Sequence, residues 1–360
     1  MNKSDFSQIL LQWYRLHARP LPWRESSDPY KIWVSEIILQ QTRVAQGMDY
    51  YLRFTHRFPD VTTLSCADEA EVLKYWQGLG YYSRARNLHQ ASRQIVALGK
   101  FPDTYDAIRS LKGVGDYTAA AIASFAFSLP HAVVDGNVYR VLSRYMGIDT
   151  PIDTAAGKKQ FAQLAAALLD KANPADYNQA VMDFGALQCV PQNPRCAHCP
   201  LHTSCKAYRE NRVGDLPVKK GKVQLRSRYF TFIYLESRGR VAFWRRASGD
   251  IWEGLYQPLL FEWNNSLPSD EAVAARVSEF LFEANPLKFN RMQFRQLGKD
   301  VRQRLSHQDL HARFYLLQAN DISLPLSCAS QAVWVDIPAA DRLAFPKMLA
   351  EKLPLLSKHE

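Results

Sequence analysis

Apolar residues recur at helical spacing throughout the first half of the chain. Phe6, Leu10 and Trp13 follow one another at intervals of four and three positions, which predicts an amphipathic helix over residues 4–17. The same periodicity predicts further helices over residues 30–44, 47–57, 67–77, 83–97, 116–128, 138–146, 155–170 and 174–187. No strand-like alternation precedes residue 189, so we predict an all-α domain with short connections.

Beyond residue 228 the pattern changes to short aromatic and β-branched runs. These runs predict strands over residues 229–235, 241–244, 313–317 and 332–335, with helices over 270–283 and 341–353. Residues 206–228 hold eight Lys or Arg against two Asp or Glu and include glycine and proline, which is typical of a basic linker. The predicted fold class is multidomain α and α+β, with domains over 1–205 and 229–360 joined by this linker.

Charge and composition narrow the class of protein further. The 360 residues carry a net charge of +10, which favours a polyanionic partner. No apolar run approaches the length of a membrane span, and residues 1–10 lack the basic-then-apolar pattern of an export signal. We therefore expect a cytoplasmic protein with no membrane partner.

Four of the six cysteines crowd into seventeen residues. Cys189, Cys196, Cys199 and Cys205 follow the spacing C-x6-C-x2-C-x5-C, which is typical of a metal site and not of a disulfide framework. Four thiolates can hold an iron–sulfur cluster or a tetrahedral zinc ion, and the spacing alone leaves both open.

A glycine-rich turn and an aspartate flank the helix predicted over residues 116–128. Gly113, Val114 and Gly115 form a turn whose backbone amides lie at the start of that helix, where unpaired donors favour a phosphate. Asp135 directly precedes the next apolar-periodic run, a position that is usually a helix N-cap. Together, at this distance, the two features resemble the helix-hairpin-helix and aspartate of the base-excision DNA glycosylase superfamily.

One carboxylate lies within an otherwise apolar helix start, WVSEIILQQT. Facing solvent, Glu36 would be an ordinary surface residue; facing a cleft, its apolar neighbours would raise its pKa toward that of a general acid. The segment resembles the SExxLQQT signature of MutY-type adenine DNA glycosylases. This resemblance implies that Glu36 donates a proton to adenine and that Gln40, Gln41 and Thr42 bind substrate.

Other segments resemble the same family. Residues 78–87 are similar to its GLGYYxRA segment, which implies that Leu79 and Tyr81 contact DNA and that Tyr81 is a wedge beside the damaged base. Tyr81 and Tyr82 are adjacent, and an aromatic pair of this kind more commonly belongs to a hydrophobic core. Residues 178–186 imply that Gln179 hydrogen-bonds the extruded adenine in a pocket that Trp23 and Arg24 also line. The cysteine spacing closely resembles the family's [4Fe–4S] loop, which implies that the four cysteines hold such a cluster.

Tyr117 separates two chemistries. Endonuclease III-type enzymes have at this position a lysine whose amine attacks the sugar and then cleaves the strand, and a tyrosine cannot form that Schiff base. We therefore predict a monofunctional glycosylase that uses water. In the mechanism that the resemblance implies, Asp135 stabilises the positive charge on deoxyribose, while Asn137 and Tyr117 orient the aspartate and the water.

The second half resembles the Nudix-like lesion-recognition domain of MutY-type enzymes through residues 252–258, WEGLYQP. No carboxylate run suited to magnesium follows, so pyrophosphatase activity is not expected. Ser306 and His307 lie where that family has a Phe-Ser-His loop that touches 8-oxoguanine, with Leu305 replacing the phenylalanine. An ordinary polar turn is the alternative for these residues.

These resemblances predict a monomeric bacterial enzyme that acts on double-stranded DNA in the nucleoid and removes adenine opposite 8-oxoguanine or guanine. Two alternatives remain at this point. One is an endonuclease III-like glycosylase and lyase, which Tyr117 and the second domain oppose. The other is an iron–sulfur protein that binds DNA or transfers electrons, for which Glu36 and Asp135 would be superfluous.

Overall fold

The computed structural model describes residues 3–221, 224–282 and 293–356. The chain divides into two compact units, one made of Met1–Cys66 with Asn87–Lys222 and the other of Ala67–Arg86 with Val223–Glu360. The second unit thus begins inside the predicted linker and also takes in residues 67–86 from the helical half. The domain boundaries placed at residues 205 and 228 stay predictions.

Helices make up the regular structure of the first half. They are α1 Lys3–His17, α2 Pro29–Leu39, α3 Val44–Arg57, α4 Val61–Cys66, α5 Glu69–Tyr75, α6 Ser83–Ala97, α7 Tyr105–Arg109, α8 Asp116–Phe127, α9 Gly136–Met146, α10 Ala155–Leu168, α11 Pro174–Leu187 and α12 Lys206–Arg209. Residues 3–221 contain no strand, in agreement with the sequence pattern. No helix among the described residues is both long and apolar enough to cross a membrane.

Two helices of the first unit are apolar on nearly all sides. In α2 the residues from Ile32 to Ile38 are all buried, and α8 buries its residues from Thr118 to Ser124. A helix that is apolar all round requires neighbours on every face, so these two helices lie inside the unit. A core of Phe6, Phe161, Phe184 and their neighbours lies beside them.

The single helix predicted over residues 30–44 is wrong. Helix α2 ends at Leu39, and α3 begins only at Val44. Between them Gln41 has φ 58°, a left-handed conformation that cannot continue a right-handed helix. The interruption leaves Gln40, Gln41 and Thr42 in a turn. The sequence periodicity did not indicate this turn, because apolar residues continue on both sides of it.

The middle of the predicted linker, residues 216–220, is packed on the helical unit. The Ile152 amide donates to the Val218 carbonyl at 3.0 Å, and the Lys220 amide donates to the Asp153 carboxylate at 2.9 Å. The Arg144 guanidinium donates to the Leu216 carbonyl at 3.0 Å. This stretch therefore follows the surface of the unit, and its basic side chains Lys219 and Lys220 are exposed.

The second unit is built on an eight-stranded sheet. Its strands are β1 Arg226–Ser237, β2 Arg240–Arg245, β3 Tyr256–Gln257, β4 Leu259–Trp263, β5 Gln293–Gln296, β6 Val301–Arg304, β7 Gln308–Ala319 and β8 Ala332–Asp336, and its helices after α5 are α13 Asp270–Phe282, α14 Leu326–Ala329 and α15 Lys347–Ala350. The order is β3-β2-β1-β7-β5, with β4 on β1, β6 on β7 and β8 on β2. The long central pair β1 and β7 is parallel, and the remaining pairs are antiparallel.

Alternation along the two central strands builds a core on each face of the sheet. Phe232 and Phe314 lie in one apolar cluster with α15, whereas Ile233 and Tyr315 lie in another with α13. The predicted α+β architecture is confirmed. The pattern missed β3 to β6, which are short or polar.

The helix predicted over residues 341–353 is wrong. The segment consists of the 3-10 helix Ile337–Arg342, α15 and the 3-10 helix Leu353–Leu355. Pro346 lacks an amide donor and interrupts the run, although its apolar spacing resembles that of one helix.

Candidate active site

A cavity of about 1060 Å³ opens in the helical unit. Residues of α2, α8 and α11, the turn before α9 and the turn at Pro22–Arg24 line its walls. The predicted site residues that it brings together are Trp23, Arg24, Glu36, Gln40, Gln41, Thr42, Gly113, Gly115, Tyr117, Asp135, Asn137 and Gln179.

Glu36 lies on the cavity wall and is only 6% exposed. Burial raises the pKa of its carboxyl group to about 7, and the nearby charge of Asp135 adds to the increase. The hydroxyl of Tyr117, on α8, donates to Glu36 Oε2 at 2.9 Å and opposes part of this shift. Glu36 therefore keeps its proton in a large part of the molecules near neutral pH.

Asp135 caps α9 and lines the same cavity. Its Oδ1 accepts the backbone amides of Asn137 at 2.9 Å and Val138 at 2.8 Å, and its Oδ2 accepts Nδ2 of Asn137 at 2.8 Å. Burial raises the pKa of this carboxyl group, and the hydrogen bonds offset only part of the effect. The N-cap role of Asp135 is compatible with its place in the cavity, because the capping hydrogen bonds fix its carboxylate on the cavity wall.

A buried acid that the sequence analysis missed holds two arginines of the cavity. Asp183, on α11, has no exposed surface and accepts both terminal nitrogens of Arg24 at 2.8 and 2.9 Å, together with Arg19 Nε at 2.9 Å. Burial raises the pKa of Asp183, but the hydrogen bonds and charges of the two arginines outweigh it and leave the pKa lowered. An aspartate between Met182 and Phe184 in an apolar helix was the available signal.

Arg140 extends the network behind Asp135 and was also missed. Its Nη2 donates to Asn137 Oδ1 at 2.8 Å and to the Gly185 carbonyl at 2.7 Å, while its Nε donates to the Cys189 carbonyl at 2.7 Å. Gln179 is fixed separately, because Tyr14 donates to its Oε1 at 2.9 Å. The polar side chains of the cavity are thus positioned by hydrogen bonds.

The glycine turn before α8 requires glycine at one position. Gly113 has φ 77°, and a Cβ there would lie 2.5 Å from Asn87 Cβ. Gly115 is exposed and precedes the first residue of α8, as a phosphate seat requires. Val114 is buried, and its amide donates to the Leu111 carbonyl at 3.1 Å, so the exposed residues of the predicted backbone contact are the two glycines.

The four clustered cysteines surround one small cavity of about 30 Å³. Arg144 lies beside it, only 3% exposed, and donates to the carbonyls of Val190 at 2.8 Å and Pro191 at 2.9 Å, with Nη1 3.5 Å from Cys189 Sγ. Within the described residues, no three or more His, Cys, Asp or Glu side chains converge as a single metal ion would require. The four thiols line this cavity together.

The remaining predicted residues lie in the second unit. Ser306 and His307 are exposed in the turn that joins β6 to β7, which the Leu305 amide closes by donating to the Gln308 carbonyl at 2.7 Å. Tyr81 is 42% exposed with φ 48°, and its hydroxyl is hydrogen-bonded to Ser306 Oγ. Leu79 is buried. The structure thus brings Tyr81 to Ser306.

Comparison with known proteins agrees with this site. Residues 34–167 match the HhH-GPD superfamily of base excision DNA repair proteins. A thermostable thymine-DNA glycosylase of known structure is 30% identical and superposes with a TM-score of 0.54 over 58% of this chain and 97% of its own. An endonuclease III from a trapped DNA complex, 20% identical, shares the fold with a TM-score of 0.51 over 59% of this chain and 99% of its own. The helical unit is therefore that of a helix-hairpin-helix DNA glycosylase.

Relatives that span more of the chain narrow the class. An adenine DNA glycosylase of Buchnera aphidicola subsp. Baizongia pistaciae is 31% identical over 98% of this chain and 97% of its own length. The adenine DNA glycosylase of Mus musculus is 43% identical over 60% of this chain and 44% of its own. The chain belongs to the adenine DNA glycosylase family, MutY-type enzymes that hydrolyse N-glycosidic bonds in base excision repair.

Proposed function

We propose that this chain removes adenine paired with 8-oxoguanine, or with guanine, from double-stranded DNA, and that it acts as a monomer. The observation that carries the proposal is the pairing of Glu36 and Asp135 on the wall of one cavity large enough for an extruded nucleoside. Each carboxyl group has a raised pKa, and the charge of one affects the other. Perturbed carboxyl pairs in a cleft are typical of acid catalysis.

Glu36 acts as the general acid. Adenine leaves as a neutral base when the Glu36 proton passes to it while the N-glycosidic bond breaks and the bonding electrons leave with the base. Near neutral pH a carboxyl group with a pKa of about 7 is partly protonated and can supply that proton. Trp23, Arg24 and Gln179 line the cavity as the groups that hold the base.

Asp135 stabilises the positive charge that develops on the deoxyribose. A carboxylate about 4 Å from a unit charge gains about 4 kcal/mol at an effective dielectric constant near 20, or about a thousandfold in rate. The capping hydrogen bonds hold the carboxylate in place before the reaction. Water then adds to the sugar carbon and its proton passes to the Glu36 carboxylate, which restores the acid and leaves an abasic site; Asn137 and Tyr117 orient the aspartate and the water.

The reaction stops at the abasic site. Tyr117 occupies the position where a glycosylase with lyase activity has a lysine amine, and its hydroxyl is hydrogen-bonded to Glu36. The strand therefore stays intact until alkali cleaves it.

Cys189, Cys196, Cys199 and Cys205 hold a [4Fe–4S] cluster. The four thiols line one small cavity, and the buried Arg144 guanidinium lies beside it as a counter-charge, which supports a metal group bound by four thiolates. Zinc would also take four thiolates, so the choice of a [4Fe–4S] cluster rests on the resemblance of the C-x6-C-x2-C-x5-C spacing to the cluster loop of the family. The cluster, when bound, organises the loop that carries Arg195, Lys206 and Arg209 toward phosphate. In the purified protein, we expect four iron and four sulfide per chain, lost in Cys199→Ser, whereas bound zinc would contradict this assignment.

The second unit recognises the lesion. Its sheet supports a Nudix-like assignment, and Ser306 and His307 are exposed on a turn where they can contact 8-oxoguanine. Tyr81 is exposed beside Ser306 and serves as the wedge in the base stack. Gly113 and Gly115 seat the DNA backbone.

One assay tests the function. Duplexes carrying adenine opposite 8-oxoguanine, adenine opposite guanine, or an oxidised pyrimidine opposite guanine are incubated with the protein, with and without alkali. We expect adenine release that needs alkali to break the strand. Direct nicking at the oxidised pyrimidine would favour the endonuclease III-like alternative, and binding without base release would contradict glycosylase activity.

A further inference from the structure

Residues 67–86 belong to the compact unit of the sheet, although about 140 residues separate them from its first strand in sequence. This docking segment (residues 67–86) contains α5 and the glycine turn that ends in Tyr81. Both ends of the segment and its middle make specific contacts to other residues of the sheet unit.

Ion pairs hold the two ends of the docking segment. At its start, Glu69 Oε1 pairs with Arg245 Nη2 of β2 at 2.7 Å. At its end, Arg86 donates to the Glu253 carbonyl at 2.6 Å and pairs with the Glu253 carboxylate at 3.2 Å. Arg245 is the last residue of β2, and Glu253 belongs to the WEGLYQP stretch that follows this strand.

The middle of the segment makes neutral contacts to the region around α15. Gln77 Oε1 accepts the Phe345 amide at 3.2 Å, and the Tyr82 hydroxyl donates to the Phe345 carbonyl at 3.4 Å. Gly254, with φ 80°, allows close approach on the other side, since a Cβ there would lie 3.3 Å from Leu73 Cδ1. The WEGLYQP bend thus accommodates the docking segment.

The consequence of docking lies at the recognition turn (residues 305–307). The segment carries Tyr81 to a position where its hydroxyl is hydrogen-bonded to Ser306 Oγ. We propose that Glu69, Arg86, Arg245 and Glu253 are positioning residues for lesion specificity, because they hold Tyr81 where its hydroxyl orients that of Ser306. The inference rests on the proposed recognition of 8-oxoguanine and names residues that would set its selectivity.

The chemistry of the two bases explains why orientation matters. Guanine presents an acceptor at N7, whereas 8-oxoguanine presents an N7–H donor. When Ser306 donates its proton to Tyr81, its oxygen offers lone pairs, which attract an N7–H and repel an acceptor. A freely rotating Ser306 hydroxyl would donate to guanine N7 equally well. With Ser306 as the donor to Tyr81, docking therefore favours 8-oxoguanine over guanine.

Charge reversal at β2 tests the proposal with a matched control. Arg245→Glu places two acids together at the start of the docking segment, whereas Arg240→Glu makes the same change on the same strand at a similarly exposed position that pairs with Asp336. The readout is the ratio of single-turnover adenine release opposite 8-oxoguanine to that opposite guanine. We expect R245E to lower this ratio about tenfold, the effect of one hydrogen bond, and R240E to leave it unchanged.

The swapped pair distinguishes positioning from general damage. Glu69→Arg combined with R245E restores the ion pair, so we expect the ratio to return to within about twofold of the unmodified protein. If R245E fails to fold, Glu69→Gln with Arg245→Gln removes the same attraction without repulsion and must lower the ratio as well. A ratio unaffected by loss of the pair, or not restored by the swap, would overturn the inference.

Tyr81→Phe removes the hydroxyl alone and must lower the same ratio, with no additional effect in R245E if both changes act through this bond. Full additivity of the two changes would also contradict the inference. Failure of the proposed function is distinguishable, because it would appear as an absence of preference for 8-oxoguanine in the unmodified protein.

Discussion

Polar side chains are buried in the cavity of the helical unit but exposed at the recognition turn of the sheet unit. In the cavity, Glu36 is almost fully buried and Asp183 has no exposed surface, and both are hydrogen-bonded to neighbouring side chains. At the turn, Ser306 and His307 face solvent on a short hairpin. Each arrangement suits a different task.

Burial changes what a carboxyl group can do as an acid. It raises the pKa of Glu36 to about 7 and also raises that of Asp135. Recognition needs exposure instead, and Ser306 stays open to a ligand at the turn although its hydroxyl is hydrogen-bonded to Tyr81. The comparison predicts that changes in the cavity act on rate and its pH dependence, and changes in the turn on selectivity.

The largest effect is expected at Asp135. Asp135→Asn keeps an N-cap side chain but removes the charge beside the deoxyribose, so we expect about a thousandfold loss of single-turnover adenine release. Binding of the mispaired duplex should persist within a few-fold, as measured by fluorescence anisotropy. Near-normal turnover of D135N would remove Asp135 from the mechanism.

Glu36→Gln should reduce adenine release at least a hundredfold, since general acid catalysis contributes about 10²–10⁴. In the unmodified protein the rate should fall as pH rises above about 7, where Glu36 loses its proton. The residual activity of E36Q should lack this descending limb. A rate profile that stays flat from pH 6 to 9 in the unmodified protein would contradict the role of Glu36.

The raised pKa of Glu36 also predicts that the substitution by Gln, which lowers the rate, raises the stability of the folded chain. Its pKa is higher in the folded chain than in the unfolded chain, so the folded state binds more protons between pH 4.5 and 7 and its stability falls as pH rises through that window. Replacing Glu36 by Gln should therefore raise the free energy of unfolding by up to about 3 kcal/mol at pH 8.5 and by little at pH 4.5. Denaturant melts at the two pH values measure the difference, and an equal effect at both would show that the pKa of Glu36 is not raised in the folded chain.

Two glycines of the helical unit offer a matched pair. Gly113→Ala must displace Asn87 and adopt φ 77°, so we expect a loss of about 1–3 kcal/mol in stability and weaker binding of duplex DNA. Gly115→Ala meets no atom within 4 Å and has φ −94°, so it should cost little stability. Similar melting temperatures for the two variants would contradict the turn geometry.

Tyr117→Phe should give the smallest change. Loss of the hydroxyl removes a hydrogen bond that lowers the pKa of Glu36, so the descending limb of the rate profile should move to higher pH by less than about one unit. The strand should still need alkali to break, because phenylalanine supplies no amine. An unchanged limb would show that Tyr117 does not act on Glu36 before substrate binds.

Much of this molecule could be predicted without coordinates. The helical period located most helices of the first half, the SEIILQQT and glycine-turn motifs named residues that line the cavity, and the cysteine spacing named four thiols that surround one small space. The helices and the grouping of these residues could be predicted because they depend on local order along the chain, whereas the roles of the residues stay predictions. The turn at Gln41 and the helix break at Pro346 were missed, because the pattern follows apolar spacing and does not register backbone geometry.

Other features depend on long-range contacts. Asp183 lies 159 residues from Arg24, and Tyr81 lies 225 residues from Ser306, so neither pair has a signature within any short window. Docking of residues 67–86 on the sheet domain has the same origin. The residue types and their local spacing are properties of the sequence, but burial, and with it the pKa of Glu36, arises only when distant segments exclude water together. The sequence therefore determined which groups are available for chemistry, and the tertiary structure decided their protonation and their partners.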